Sequence, residues 1–343
     1  MNWDKIIGHQ DNIGLLRKML SSRAMPHALL FTGMSGIGKM LSAKVFAAGI
    51  LCAAEGERPC GSCFSCLSYS RGQHPDIKEV RPDGGASLSI KIDQIRALKR
   101  FALLSPALTK GRVCVVEDAQ NMTEEASNSL LKLLEEPPSN FYFILVASIG
   151  QPLLPTIVSR CLRVDFLPLS PAVLAEKLIE KNGIDSEKAR TAANLSGGRM
   201  GKAIELMQPE GFALRNLAAE YLELLSGGDA EKLEEHLDSF NPSSRQEVLA
   251  FLEYVCVLMR DMLFLVIDSK ESAMQTTNIE EYLLNPDLAR KISNLAPYWD
   301  EESLLFANKK LRAAIRAVSG NANVKLTIDA LTIKLKHISY KGT

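Results

Sequence analysis

The stretch LLFTGMSGIGKM, Leu29 to Met40, decides the fold. An apolar run opens it, and Gly33, Gly38 and Lys39 then fit the phosphate-loop pattern G-x-x-x-x-G-K-[ST], with Gly36 a further glycine inside the turn. In that pattern backbone N–H groups cradle phosphates, the lysine reaches the terminal ones, and a hydroxyl holds magnesium. Position 40 carries a methionine instead. Gly33, Gly36, Gly38 and Lys39 are therefore candidate nucleotide-binding residues of a degenerate site. Without the hydroxyl, charge building on a transferring phosphoryl group loses part of its stabilisation, so ATP hydrolysis is doubtful while binding through Lys39 stays open. The plain alternative is a loop kept for its turn and its helix packing.

Outward from the loop, short apolar runs alternate with amphipathic stretches, the pattern of an α/β domain with a mostly parallel sheet. Strands are expected at Ala28 to Thr32, Ile77 to Arg81, Val113 to Glu117, Phe141 to Ala147 and Leu162 to Phe166, and helices at Met40 to Leu51, Ile92 to Leu104 and Glu124 to Glu136. Thr123 suits an N-cap, Glu124 and Glu125 suit the first turn, and Pro137-Pro138 cannot continue a helix. After Phe166 the strand pattern stops. Ser170-Pro171 starts a helix through Lys181 that Asn182-Gly183 ends, and Glu187 to Leu206 holds a helical pair broken at Ser196-Gly197-Gly198. From about Gly211 onward, apolar residues recur by threes and fours: Leu304, Leu311, Ile315 and Val318, then Val324, Ile328, Leu331, Leu335 and Ile338. That predicts a compact all-α bundle. The expected organisation is a parallel-sheet phosphate-loop domain over 1–166 with a four-cysteine module at 52–66, a small helical lid over 167–208, and a C-terminal helical domain over 209–343.

Length and composition fit this division. A chain of 343 residues, 46% hydrophobic and 23% charged, suits two or three globular domains. Forty basic and forty acidic side chains cancel, so no global positive field gathers a polyanion, and any DNA contact must be local or shared with partners. The opening MNWDKIIGHQ lacks the basic-then-apolar order of a signal peptide, and no apolar run approaches the roughly 18 residues needed to span a membrane. A cytoplasmic location is expected.

Three further features carry chemistry. Cys52, Cys60, Cys63 and Cys66 follow a C-x7-C-x2-C-x2-C spacing, while Cys114, Cys161 and Cys256 stand apart. In a reducing compartment such clustering favours metal over disulfides, and four thiolates can close a structural tetrahedral Zn2+ site. CGSCFSC also touches the iron–sulfur pattern, whose fourth cysteine and proline are missing where Leu67 stands. His74, nearby, reads as a capping or surface group in preference to a metal ligand. Second, Val113 to Val116 run into Glu117 and Asp118, an apolar strand ending in two acids. Their order is the reverse of the usual Asp-Glu, which displaces both carboxylates from magnesium and water. Third, LPTIVSRC places Arg160 just before the last expected strand, where it can reach phosphoryl-transfer charge on another molecule, although spacing alone favours a surface arginine at a helix end. The basic residues Lys91, Arg96, Lys99, Arg100, Lys110 and Arg112 read as a solvated face or as phosphate contacts.

Taken in order, IIGHQDNIGLLRKML, PHALLFTGMSGIGK, the four cysteines, HPDI, VVEDAQNMTEEASNSLLKLLEEPP and LLPTIVSRC resemble the clamp-loader branch of the AAA+ proteins. The resemblance is close over about the first half; beyond it only the helical layout agrees. It implies a three-domain subunit of a hetero-pentameric ring, with ATPase subunits and a delta subunit as partners. That ring opens the sliding clamp and sets it on primed DNA within a replicative DNA polymerase holoenzyme. Motor members bind and hydrolyse ATP; a stator member keeps the fold with a degenerate site and lends its SRC arginine to a neighbour's ATP. On this resemblance Arg160 is the arginine acting in trans, the four cysteines are zinc ligands, and the C-terminal domain joins a helical collar. Met40, the inverted Glu117-Asp118 pair and Gly201, which aligns with the motors' lid arginine in SGGRMGKAIEL, all depart from the motor pattern. Arg199 lies near enough in sequence to substitute for that arginine. The stator is the leading expectation, an unusual but working ATPase the competing one, and an independent zinc-dependent DNA-binding protein a third that the neutral charge argues against.

Overall fold

The computed structural model describes residues 2–22, 25–83, 88–149, 153–182, 185–227, 230–240, 242, 244–270 and 282–339. Gly183, expected to end a helix, lies outside the described residues. The chain divides into two compact units: Met1–Val173 together with Gly197–Lys202, and Leu174–Ser196 together with Ala203–Thr343. No helix among the described residues is long and apolar enough to cross a membrane.

In the first unit β1 (Ala28–Gly33), β2 (Ile77–Val80), β3 (Arg112–Val116), β4 (Phe141–Ser148) and β5 (Leu162–Phe166) form one five-stranded sheet in the order β2-β3-β4-β1-β5. Every pairing is parallel, with Leu30 opposite both Leu145 and Arg163, and Val115 opposite Ile144. Parallel neighbours need crossovers, and here these carry helices. Alternation along each strand separates two cores. Leu29, Phe31, Val113, Val115, Ile144 and Val146 pack with Leu16 of α1 (Gln10–Ser21) and Phe46 of α2 (Lys39–Leu51). Leu30, Cys114, Val116, Phe143 and Leu145 face the other way, onto Ile95 and Leu98 of α4 (Ile92–Ala102) and Leu130 and Leu134 of α5 (Glu124–Glu135). The module between α2 and β2 contains α3 (Phe64–Ser70).

The five strands lie where the alternation places them, with ends shifted by a residue or so; β3, for example, begins at Arg112 and stops before Glu117. Thr123 caps α5, its hydroxyl accepting the Ala126 N–H at 3.2 Å. That helix stops at Glu135 because Glu136, with φ −124° and ψ 71°, precedes a proline that disfavours helical backbone. A short α6 (Pro155–Val158) leads into β5.

The second unit is helical. It includes α7 (Pro171–Asn182) from Leu174 onward, α8 (Ser186–Leu195), most of α9 (Met200–Leu206), α10 (Ala213–Gly227), α11 (Ala230–Ser239), α12 (Arg245–Lys270), α13 (Ala289–Leu295), α14 (Glu301–Ser319) and α15 (Val324–Ser339). The long α12 packs against α10 and α14, and α14 against α15. Leu304, Leu311, Val318, Ile328, Leu331 and Leu335 are buried in one core with Tyr221, Phe251 and Met262, as the spacing predicts; Ile315, Val324 and Ile338 are partly buried against it. A buried polar lock adds to this core: Arg215 donates to both Asp287 oxygens at 2.8 and 2.7 Å, and Thr191 to one of them at 3.0 Å.

Candidate nucleotide loop and metal centre

β1 ends directly in the phosphate loop. Gly33 has φ +153°, and a Cβ there would lie 2.6 Å from the Phe166 carbonyl oxygen. Gly36 and Gly38, at φ +76° and +109°, also occupy the left-handed region that side chains avoid. Lys39 opens α2 and is only 5% exposed. Its Nζ donates to the carbonyls of Gly33 at 2.8 Å and Met34 at 2.7 Å, with the Ser148 hydroxyl at 3.4 Å. Burial pulls the Lys39 pKa below the usual lysine range, against the pull of the Asp118 carboxylate. The ammonium's three donors are thus all taken by the chain's own oxygens.

The residue after the lysine offers no oxygen. Met40 is partly buried and packs against the core beneath the sheet. Gly201 donates its N–H to the Gly36 carbonyl at 2.8 Å, so the Gly197–Lys202 segment sits on the loop. A Cβ at Gly201 would stand 3.0 Å from that oxygen, which leaves no easy room for the side chain that the motor pattern places there. Arg199 lies beside the same turn, its Cβ 3.9 Å from where a Gly36 Cβ would be.

At the end of β3, Glu117 pairs with Arg81 at 3.1 Å, and Arg81 also pairs with Glu79. Asp118 adopts left-handed backbone at φ 47° and accepts from the Gln120 amide at 3.1 Å, while Gln120 accepts the Ser148 N–H at 3.1 Å. Lys39 and Asp118 therefore share a neighbourhood, and Glu117 is engaged with an arginine. Arg160 follows α6 on the surface; its guanidinium bonds Glu135 at 2.7 Å and the Thr156 carbonyl at 3.0 Å. Those partners, with Ser159, are outside the phosphate loop.

The four cysteines meet although they span 15 positions of chain. Their Sγ atoms all lie within 4.8 Å of one another, Cys52 to Cys63 at 3.9 Å. A tetrahedral zinc thiolate site with bonds near 2.3 Å requires sulfurs about 3.8 Å apart, so the donor set fits such a metal. N–H groups already point at the sulfurs: Cys60 at Cys52 Sγ, Cys63 at Cys60 Sγ and Cys66 at Cys63 Sγ, each at 3.4 Å. The N–H groups of Ser62 and Cys63 draw the exposed Cys60 thiol down to about 6, whereas burial pushes Cys52 and Cys66 upward. A dication at the centre would ionise that buried pair.

Two residues differ from their sequence reading. His74 is not a surface group: it is 5% exposed, its ring meeting Ser65 Oγ at 2.8 Å and the Asp76 N–H at 3.1 Å. Arg112 is not part of a basic face. It is 6% exposed, stacks 4.5 Å from the Phe101 ring, donates to the Phe101 and Ser105 carbonyls, and lies 3.5 Å from Asp76. Ser65, Asp76 and Glu135 lie within CGSCFSC, HPDI and the run ending LKLLEEPP, yet none was singled out as a residue, because their partners lie 9 to 33 positions away in the chain.

Residues 8–170 match the family model described as DNA polymerase III, delta subunit. The chain is 30% identical over 327 residues to DNA polymerase III subunit delta' of Bacillus subtilis, covering 94% of each chain. It is 34% identical over 321 residues to the subunit of the same name from Haemophilus influenzae, covering 89% of each. A solved gamma subunit-related protein of DNA polymerase III from Thermotoga maritima matches 95% of this chain and 99% of its own at TM-score 0.50 and 18% identity, a likeness of fold. The chain belongs to the DNA polymerase III subunit delta' family.

Proposed function

We propose that this chain is a clamp-loader subunit without ATPase activity of its own, a stator that presents Arg160 to ATP held by a neighbouring motor subunit. Its partners would be the ATPase subunits and delta in a hetero-pentamer that loads the sliding clamp on primed DNA in the cytoplasm. The observation that carries the reading is the start of α2. Met40 stands in the magnesium-ligand position with its side chain packed on the core, beside a lysine already bound by loop carbonyls. Losing a metal ligand removes charge stabilisation that positioning alone does not replace. Arg160, in contrast, is exposed and tethered only by surface contacts, which contribute little and are readily exchanged for a phosphate. The four cysteines would hold a structural Zn2+, and the chain would divide into the sheet domain, lid and collar at 1–166, 167–208 and 209–343.

Retention of Gly33, Gly36, Gly38 and Lys39 favours a second reading, an ATP-binding and hydrolysing motor. Steady-state ATP hydrolysis by the purified chain separates the two. The stator reading expects no turnover above background at saturating ATP and magnesium; sustained turnover by the chain alone would establish the motor.

A further inference from the structure

We infer that His74 is a positioning residue for the four-cysteine metal centre, setting its two buried ligands, Cys52 and Cys66, through Ser65; this rests on the metal reading above. Leu51 immediately precedes Cys52, and Ser65 immediately precedes Cys66. The Ser65 hydroxyl donates to the Leu51 carbonyl at 2.6 Å, so it ties together the two segments that bring in the buried sulfurs. A hydroxyl has one proton. With that proton given to Leu51, the 2.8 Å contact between Ser65 Oγ and His74 Nε2 requires the histidine to donate. The other ring nitrogen, Nδ1, accepts the Asp76 N–H at 3.1 Å and so carries no proton. Both contacts select one neutral tautomer, with hydrogen on Nε2.

The chain Asp76 N–H, imidazole, Ser65 hydroxyl, Leu51 carbonyl is therefore a single directed relay. It is sealed from water: Ser65, His74 and Asp76 are 6%, 5% and 0% exposed. Asp76 itself is anchored by the Ala107, Leu108 and Thr109 N–H groups. The relay joins that anchored end of β2 to the first turn of α3 and the last turn of α2, the elements that carry Cys66 and lead into Cys52. In a dry site every member must be paired, so removing one leaves its neighbours unsatisfied and free to shift the sulfurs.

The test uses the full chain, zinc, a competing chromophoric chelator, and the thiolate charge-transfer spectrum after Co2+ substitution. Gln places a donor near the Nε2 position and Asn an acceptor near the Nδ1 position, so the two substitutions divide the ring's roles. His74→Asn and Ser65→Ala should each weaken zinc binding by about tenfold, the lower end for groups outside the ligand shell, and alter the Co2+ band. Combined, they should cost no more than either alone, and His74→Gln should stay close to wild type. Ser65→Ala, the smaller change, carries the test if a His74 variant fails to fold. The inference is overturned if Ser65→Ala binds zinc as the wild type does, or if His74→Gln and His74→Asn weaken it equally, since His74 would then act by packing alone. A wild-type chain that binds no zinc would instead remove the metal reading itself.

Discussion

Just before β2, the fully buried Asp76 carboxylate accepts the N–H groups of Ala107, Leu108 and Thr109 at 2.7, 2.8 and 2.9 Å and the Thr109 hydroxyl at 3.1 Å. Burial alone would raise its pKa, but these donors outweigh it and hold the carboxyl below the usual carboxylate range. A depressed folded-state pKa gives stability that is present above the unfolded value near 3.9 and is lost as pH falls through the folded one. Asp76→Asn should therefore cost on the order of 3 kcal/mol at neutral pH, because it sets an amide against backbone donors and leaves Arg112 buried without a counter-charge. Urea unfolding across the acid range checks this: the gap between wild type and variant should narrow below about pH 4. An unchanged gap at pH 3 would contradict the assignment. The turn conformation of the phosphate-loop glycines was legible, since a contiguous pattern places each where the backbone takes positive φ. Asp76, His74 and Arg112 were not, because charged side chains read as surface until a fold supplies their partners.

At the scale of elements, α5 was legible at both ends because its signals are local: a threonine cap, acids in the first turn and a proline pair after the last. The cap makes a separable prediction. Thr123→Ala should lower stability by about 1 kcal/mol and Thr123→Ser should leave it nearly unchanged, read from denaturation midpoints at constant slope. Equal losses would assign the effect to the threonine methyl instead of the hydroxyl. Helices α1 and α3 went unread for a physical reason. α1 starts from His9 in left-handed backbone with no side-chain cap, and α3 is capped by the Cys63 sulfur, a start signal outside the usual hydroxyl and carboxylate set.

Across the whole molecule, the two units follow from contacts that the sequence does not display. Ser196 belongs with the second unit and Gly197 with the first. Thr191 and Asn194 are held by Asp287 and the Leu283 carbonyl, while Gly198 accepts from Leu169 and Gly201 donates to Gly36. The glycine pair marked a break between helices; it carried no record of which unit each side would join. The parallel sheet and helical bundle, by contrast, were legible from periodicity, because burial on two faces or on one stripe writes itself along the whole element. In the proposed stator role, Arg160 acts on ATP held by a neighbouring subunit. ATP hydrolysis by the assembled complex, measured with wild-type chain and with Arg160→Ala, tests it most directly. The substitution removes surface contacts to Glu135, Thr156 and Ser159, so the assembly should form normally. The account predicts that hydrolysis at the site served by Arg160 falls on the order of 10³-fold or more. An intact complex that turns over ATP at the wild-type rate without this arginine would contradict it.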